Sequence, residues 1–244
     1  MTLKVTQLVG GYSQIPVLKD ISFEVKKGEL VGLIGLNGAG KSTTINHIIG
    51  LLTPQKGEIT INGNSLFTNT QEYKKSIAYV PETPILYEEL TLKEHIEMTI
   101  MAYELEKTSA WDKAQQLLKT FRLENKLDWF PANFSKGMKQ KVMLVCAFIT
   151  QADLFIIDEP FLGLDPLATR DLLNLIEQRK SDGASVLMST HVLSTAQEYC
   201  NRFVLIDHGK LKTSGTIQEL QAEYGHPNAS LSEIYLGMTQ GDGV

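Results

Sequence analysis

The chain has 244 residues, with 23 Lys and Arg against 28 Asp and Glu, five His and two Cys. That length holds one large domain or a body with a smaller lobe, and 43% hydrophobic with 21% charged residues describes a globular chain. A formal charge of −5, two Cys without zinc spacing and no apolar run near the ~20 residues of a membrane span argue against a nucleic-acid binder, a disulfide scaffold and a transmembrane helix.

A soluble, intracellular protein is therefore expected, and the opening MTLKVTQLVGGY shows no basic-then-apolar signal organisation. Strand-like runs follow at Val5–Leu8, Ile21–Val25 and Leu30–Ile34, bounded by Gly-Gly or Lys-Gly. The third is almost wholly apolar, as a central strand covered on both faces must be. It runs directly into Gly35–Thr43, after which Thr44–Leu52 reads as a helix stopped near Thr53-Pro54. Next come a strand at Glu58–Ile61, a turn at Asn62-Gly63 and a strand at Ile77–Val80. From about Pro84 to Phe130 the pattern turns helical. Thr91 with Glu94 forms a capping box, Leu92, Ile96, Ile100 and Tyr103 recur at helical spacing, and Trp111, Ala114, Leu118 and Phe121 mark a second helix. Beyond Pro131, helices Lys136–Ile149, Pro166–Lys180 and Leu193–Cys200 alternate with strands Leu154–Ile157, Ser185–Met188 and Phe203–Ile206. This alternation predicts a mostly parallel sheet with helices on both faces and an inserted helical lobe.

Gly35-Leu-Asn-Gly-Ala-Gly40-Lys41-Ser42 fits G-x-x-x-x-G-K-[ST] between an apolar strand and a helix. Glycines let backbone N–H groups turn inward around phosphate oxygens, and the helix start adds partial positive charge. Gly35, Asn37, Gly38, Ala39, Gly40, Lys41, Ser42 and Thr43 are the candidate contacts; Lys41 suits the β- and γ-phosphates and Ser42 suits Mg²⁺. A dinucleotide site would need G-x-G-x-x-G, which is not the spacing here. Asn125-Lys126-Leu127-Asp128 has the letters of a guanine-reading motif, yet it lies inside the helical segment and follows no apolar strand. It reads as a polar helix end. Further on, Leu154–Ile157 delivers Asp158 and Glu159 to the C-terminal edge of a strand, where ligands bind in open parallel sheets. Asp158 suits the metal's surroundings and Glu159 suits a base that orients the attacking water.

With these two motifs in place, the order of the rest, over about residues 2–222, resembles the nucleotide-binding subunit of ATP-binding cassette (ABC) transporters. The resemblance implies an α/β fold of the P-loop NTPase type: a mostly parallel sheet, an N-terminal antiparallel β part and an inserted α-helical lobe. It implies an ATPase domain over 1–222, with the lobe at about 84–134 extending into the signature helix, and a short tail, 223–244, with a helix. Tyr12 falls where the family stacks adenine on an aromatic ring. Phe134-Ser135-Lys136-Gly137-Met138 takes the place of the LSGGQ signature, and Asp165 and His191 fall at the family's interface aspartate and switch histidine. Each has a local alternative: Ser135 and Asp165 are good N-caps, and a lone histidine after a strand is usually structural.

Laid onto this chain, the family's mechanism implies an ATP-dependent dimer in which Ser135 and Gly137 of one subunit approach the γ-phosphate held by the other. Asp165 would cross that interface and His191 would hydrogen-bond the γ-phosphate. Integral membrane subunits would receive the force through the helical lobe, with no nucleic acid involved, and the chain would sit in the cytoplasm at the inner face of the membrane. The apolar segment Pro84, Ile85, Leu86, Tyr87 and Leu90 is where the family docks a short helix of the membrane subunit. The pattern is broken in two places: Glu82 stands for the usual glutamine, where a carboxylate can still ligate Mg²⁺ or hold a water but adds negative charge, and Lys136 and Met138 alter the signature. The role of Glu82 stays open. No coiled coil, second cassette or zinc cysteines point to a non-transport member, and Glu159 argues against a regulator without turnover. The tail Ala229–Thr239 and the Ser-Lys-Gly-Met-Lys-Gln variant resemble bacterial exporters, the Ecs-type transporters of Gram-positive bacteria among them, so export is expected.

Overall fold

The structure, a computed structural model, describes residues 2–240; Met1 and residues 241–244 of the tail lie outside it. The first half runs β1 (Leu3–Gly10), β2 (Leu18–Val25), β3 (Leu30–Ile34), α1 (Lys41–Ile48), β4 (Lys56–Ile61), β5 (Asn64–Ser65), α2 (Thr70–Lys75) and β6 (Ile77–Val80). Three helices follow, α3 (Leu92–Ala102), α4 (Lys107–Phe121) and α5 (Lys136–Ile149), the last two bridged by short 3-10 turns. The chain then alternates through β7 (Leu154–Asp158), α6 (Pro166–Ser181), β8 (Ser185–Thr190), α7 (Leu193–Tyr199), β9 (Arg202–Asp207), β10 (Lys210–Gly215), α8 (Ile217–Tyr224) and α9 (Leu231–Gln240).

Two sheets form. An antiparallel one has the order β2-β1-β4-β5, and the larger has the order β10-β9-β3-β8-β7-β6, parallel throughout except for β10 at its edge. Strand alternation divides the large sheet's side chains between two cores. Phe155, Ile157, Val186 and Met188 face the layer of α5 and α6, and that core runs on without a break into Leu92, Ile96, Leu118 and Phe121 of α3 and α4. Leu154, Ile156, Leu187 and Val204 face the other way, against α1 and the antiparallel sheet. The helical lobe is thus packed into the body and shares its core.

Parallel strands end at one edge, and their register decides which loops meet. Ile34 pairs with Thr190 and Asp158 with Ser189, so the segments after β3, β7 and β8 emerge side by side. Most expected elements are present, with corrections. The helix read as Thr44–Leu52 begins at Lys41, directly after Gly40, and ends at Ile48, where Gly50 at φ 79° closes it. β5, α2, β10 and α8 have no counterpart in the sequence reading: β5 and α2 are only two and six residues long, Lys210–Gly215 is largely polar, and α8 has eight residues.

Candidate active site

The loop Gly35–Gly40 is shaped by what its glycines avoid. A Cβ on Gly35 would lie 2.5 Å from the Ile206 carbonyl oxygen, and one on Gly40, at φ 113°, would lie 2.9 Å from Leu18. Gly38, at φ 82°, has open space where its side chain would be. The backbone can therefore curl tightly and still present an unobstructed face. α1 starts on this loop with Gly40 as N-cap, a residue with no side chain to cap it. Thr91, Glu106, Ser135, Asp165 and Thr216 do cap α3, α4, α5, α6 and α8. First-turn N–H groups have no acceptor within their own helix, so those of Lys41, Ser42 and Thr43 are left to an external anion.

Lys41 is buried, and its Nζ donates to the Gly35 carbonyl at 2.8 Å and the Leu36 carbonyl at 3.4 Å. Burial lowers its pKa, and the carboxylates of Glu159, Asp158 and Glu82 act in the opposite direction. Asp158 ends β7 and accepts a hydrogen bond from Ser189 Oγ; burial raises its pKa, with Glu82 and Glu159 adding to the rise. Three carboxylates thus act on one lysine in a partly dry site, an arrangement that a further cation relieves. Among the described residues no three His, Cys, Asp or Glu side chains gather closely enough to hold a metal ion. The donors present, the Ser42 hydroxyl with Asp158 and the neighbouring Glu82, fit Mg²⁺, which keeps waters and substrate phosphate oxygens in its shell.

Glu159 follows at φ 47°, a left-handed conformation that a side chain tolerates only when its surroundings enforce it. Its own N–H donates to the Ser189 carbonyl at 3.1 Å. One carboxylate oxygen accepts the His191 backbone N–H at 3.0 Å and stands 2.7 Å from His191 Nδ1; the other accepts Thr190 Oγ at 3.2 Å. Two adjacent parallel strands therefore clasp the carboxylate and the histidine together. A carboxylate oxygen only accepts, so an ionised Glu159 takes this bond from a proton on His191 Nδ1. Such a carboxylate, oriented by three hydrogen bonds and largely withdrawn from solvent, has the chemistry of a general base.

The remaining expected residues lie around this centre. Tyr12 is 66% exposed, and its hydroxyl accepts Asn46 Nδ2 from α1 at 3.0 Å. Ser135 caps α5, accepting the Met138 N–H at 3.3 Å. Gly137 has a reason of its own: a Cβ there would lie 2.6 Å from the Gly163 carbonyl oxygen. Asp165 caps α6 and pairs with Lys141 of α5 at 2.7 Å, which holds its pKa down at about 2. α5 and the loop after Glu159 are thus joined within one chain. Glu82 is exposed, and the buried Gln140 of α5 reaches the Pro81 carbonyl beside it at 3.4 Å. Asn46, Ser189, Thr190 and Gln140 were not read from the sequence as site residues. Their partners are distant in the chain, and no local pattern marks them.

Comparison with known proteins agrees with this geometry. The ABC transporter family model matches residues 18–162. The ABC-type transporter ATP-binding protein EcsA of Bacillus subtilis (strain 168) is 53% identical over 240 residues, covering 98% of this chain and 97% of EcsA. A solved ATP-binding subunit of an ABC transporter is 52% identical, with a TM-score of 0.95 over 98% of this chain and 100% of that one. A dimeric ATP-binding cassette in a post-hydrolysis state, bound to ADP and phosphate, is 25% identical with a TM-score of 0.78, covering 88% of this chain and 98% of its own.

Proposed function

This chain belongs to the ABC transporter family as an ATP-binding subunit, and we propose that it drives export by holding MgATP on Gly35–Thr43 and hydrolysing it with Glu159. Subunits of this family hydrolyse ATP, dimerise and work with membrane subunits. The observation that carries the site reading is the uncapped start of α1 beside Lys41, on which Glu159, Asp158 and Glu82 all act.

ATP lies in this reading along the glycine loop, with its phosphates on the free N–H groups, Lys41 on the β- and γ-phosphates and Tyr12 against the adenine. Ser42, Asp158 and Glu82 are the residues that would hold Mg²⁺, which when bound neutralises charge on the phosphate oxygens. Glu159 orients a water and takes its proton, and His191, clasped to Glu159, follows the state of the γ-phosphate. Ser135 and Gly137 of a second subunit close over that phosphate, and Asp165 crosses the same interface. ATP then bridges two copies, and hydrolysis releases them.

Among the described residues no helix is long and apolar enough to cross a membrane. Attachment falls to the loop after Glu82. Ile85 and Tyr87 are 72% and 58% exposed and, with Leu86, border a cavity of about 170 Å³ reaching Met98, Tyr103 and Met143. An apolar helix of a membrane subunit fits such a groove and would hold the subunit at the inner face of the membrane. His95 fixes the loop by accepting the Tyr87 N–H at 3.0 Å. Export is favoured by the helix at Leu231–Gln240 and by the Lys136 and Met138 signature.

Titration of MgATP into Lys41→Ala tests the site. The account expects loss of tight binding, since the variant lacks the cation paired with the β- and γ-phosphates. Binding at the wild-type level would place the nucleotide elsewhere.

A further inference from the structure

Leu36 is the second residue of the glycine loop and is 55% exposed, so apolar packing of its side chain does not hold the loop at this point. Its backbone N–H donates instead to the hydroxyl of Tyr235, at 3.0 Å, across 199 residues of chain. The same hydroxyl lies 3.4 Å from the Ile206 carbonyl oxygen, to which it donates. That carbonyl is the atom a Cβ on Gly35 would strike. One phenol thus bridges the loop's first turn and the strand against which the loop is pressed. The far end of the loop is tied to the turn after β9 by the Gly209 N–H, which donates to the Ala39 carbonyl at 2.9 Å.

Tyr235 is itself held firmly. It is 1% exposed and belongs, with Leu231 and Ile234, to a core formed by Ile34, Ala196, Phe203, Leu205 and Leu220. The Leu231 N–H donates to Gln197 Oε1 of α7 at 2.7 Å, and Gly237 lies so close to Tyr224 that a Cβ would be 2.3 Å from its oxygen. α9 therefore packs on α7, which follows His191, and on the end of β3, which precedes the loop.

We infer that Tyr235 is a positioning residue for nucleotide binding: its hydroxyl fixes the Leu36 peptide and so sets the path of Gly35–Gly40 before ATP arrives. The inference rests on the reading of Gly35–Thr43 as the phosphate site. It makes the last helix part of the ATP site's support. Binding is tight where the donors are already in place, because their ordering is not then drawn from the energy of association. Removing the phenol oxygen leaves the Leu36 N–H without its acceptor, and the loop's first turn is then held by the Lys41 bonds to the Gly35 and Leu36 carbonyls without the tie to α9.

Tyr235→Phe removes that one oxygen and almost no volume. MgATP affinity is measured beside the melting temperature of the nucleotide-free chain, with Lys41→Ala and Ile234→Val as companions. The expected result is affinity weakened about tenfold in Tyr235→Phe, with kcat for bound ATP little changed. Ile234→Val should lower the melting temperature and leave affinity as it was. Wild-type affinity in Tyr235→Phe, with binding lost in Lys41→Ala, overturns the inference alone. Wild-type affinity in Lys41→Ala overturns the site reading beneath it. Should Tyr235→Phe fail to fold, hydrogen exchange in the wild-type chain decides: the Leu36 amide must be protected together with the amides of α9. Exchange at the rate of an open peptide contradicts the bond.

Discussion

Tyr12 rides on a turn after β1, and Asn46 Nδ2 holds its hydroxyl at 3.0 Å from the helix that begins at the glycine loop. The Tyr12 ring, proposed to stack on the base, and the glycine loop are thereby fixed to one helix, which in this reading sets the distance between the two ends of a nucleotide. Stacking reads the face of a base and hardly its edges, so it discriminates weakly among purines. Tyr12→Ala should weaken ATP and GTP binding to similar extents, about tenfold each, given ~1–3 kcal/mol for an aromatic–base stack. Parallel titrations with the two nucleotides check this. A loss confined to one of them would mean that a base edge is read by another residue. Glu159 shows the same economy: its strained backbone and its bonds to Thr190 and His191 make one carboxylate the meeting point of two strands.

At the scale of elements, α5 is the part whose sequence is easiest to misjudge. Its first residues read as ligands for a second subunit's ATP, and yet they also have work inside their own chain. Lys141 pairs with Asp165, Gln140 reaches Pro81, and Lys139 pairs with Glu88 at 3.1 Å in the apolar loop after Glu82. The helix start is thus tied both to the loop after Glu159 and to the proposed docking segment. Gly137 sits at the tightest of these contacts, where a methyl group would press on the Gly163 carbonyl at 2.6 Å. Gly137→Ala should therefore destabilise the isolated, nucleotide-free chain by about 1–3 kcal/mol, the usual cost of overpacking. Thermal or urea melting without ATP measures it. An unchanged melting curve would mean that this glycine matters only across the subunit interface.

For the whole molecule, what could be read beforehand was whatever has a local cause. The apolar run Leu30–Ile34 followed by a glycine loop, and the run Leu154–Ile157 followed by two acids, each carry strand, edge and ligand chemistry within a dozen letters. The ABC resemblance and the α/β fold drawn from those motifs agree with the family match and with the solved relatives. What escaped depends on tertiary neighbours. The start of α1 was placed too late because Lys41-Ser42-Thr43 looks like loop until Gly40 is seen as the cap. The clasp between Glu159 and His191 arises from the pairing of β7 with β8, and the bond from Tyr235 to Leu36 joins the two ends of the chain. No spacing rule covers contacts of that kind.

The central claim is that ATP bound on Gly35–Thr43 joins two copies of this chain and that Glu159 ends the association by hydrolysis. Glu159→Gln tests it most directly, because an amide keeps the shape of the side chain and cannot take a proton from water. The measurement is analytical ultracentrifugation of this variant with and without MgATP, with phosphate release followed on the same sample. The account predicts a dimer that forms with ATP and persists, with wild-type nucleotide affinity and turnover lowered at least about a hundredfold, the lower end of what a positioned base contributes. Phosphate release at the wild-type rate, or a chain that stays monomeric when saturated with MgATP, would contradict it.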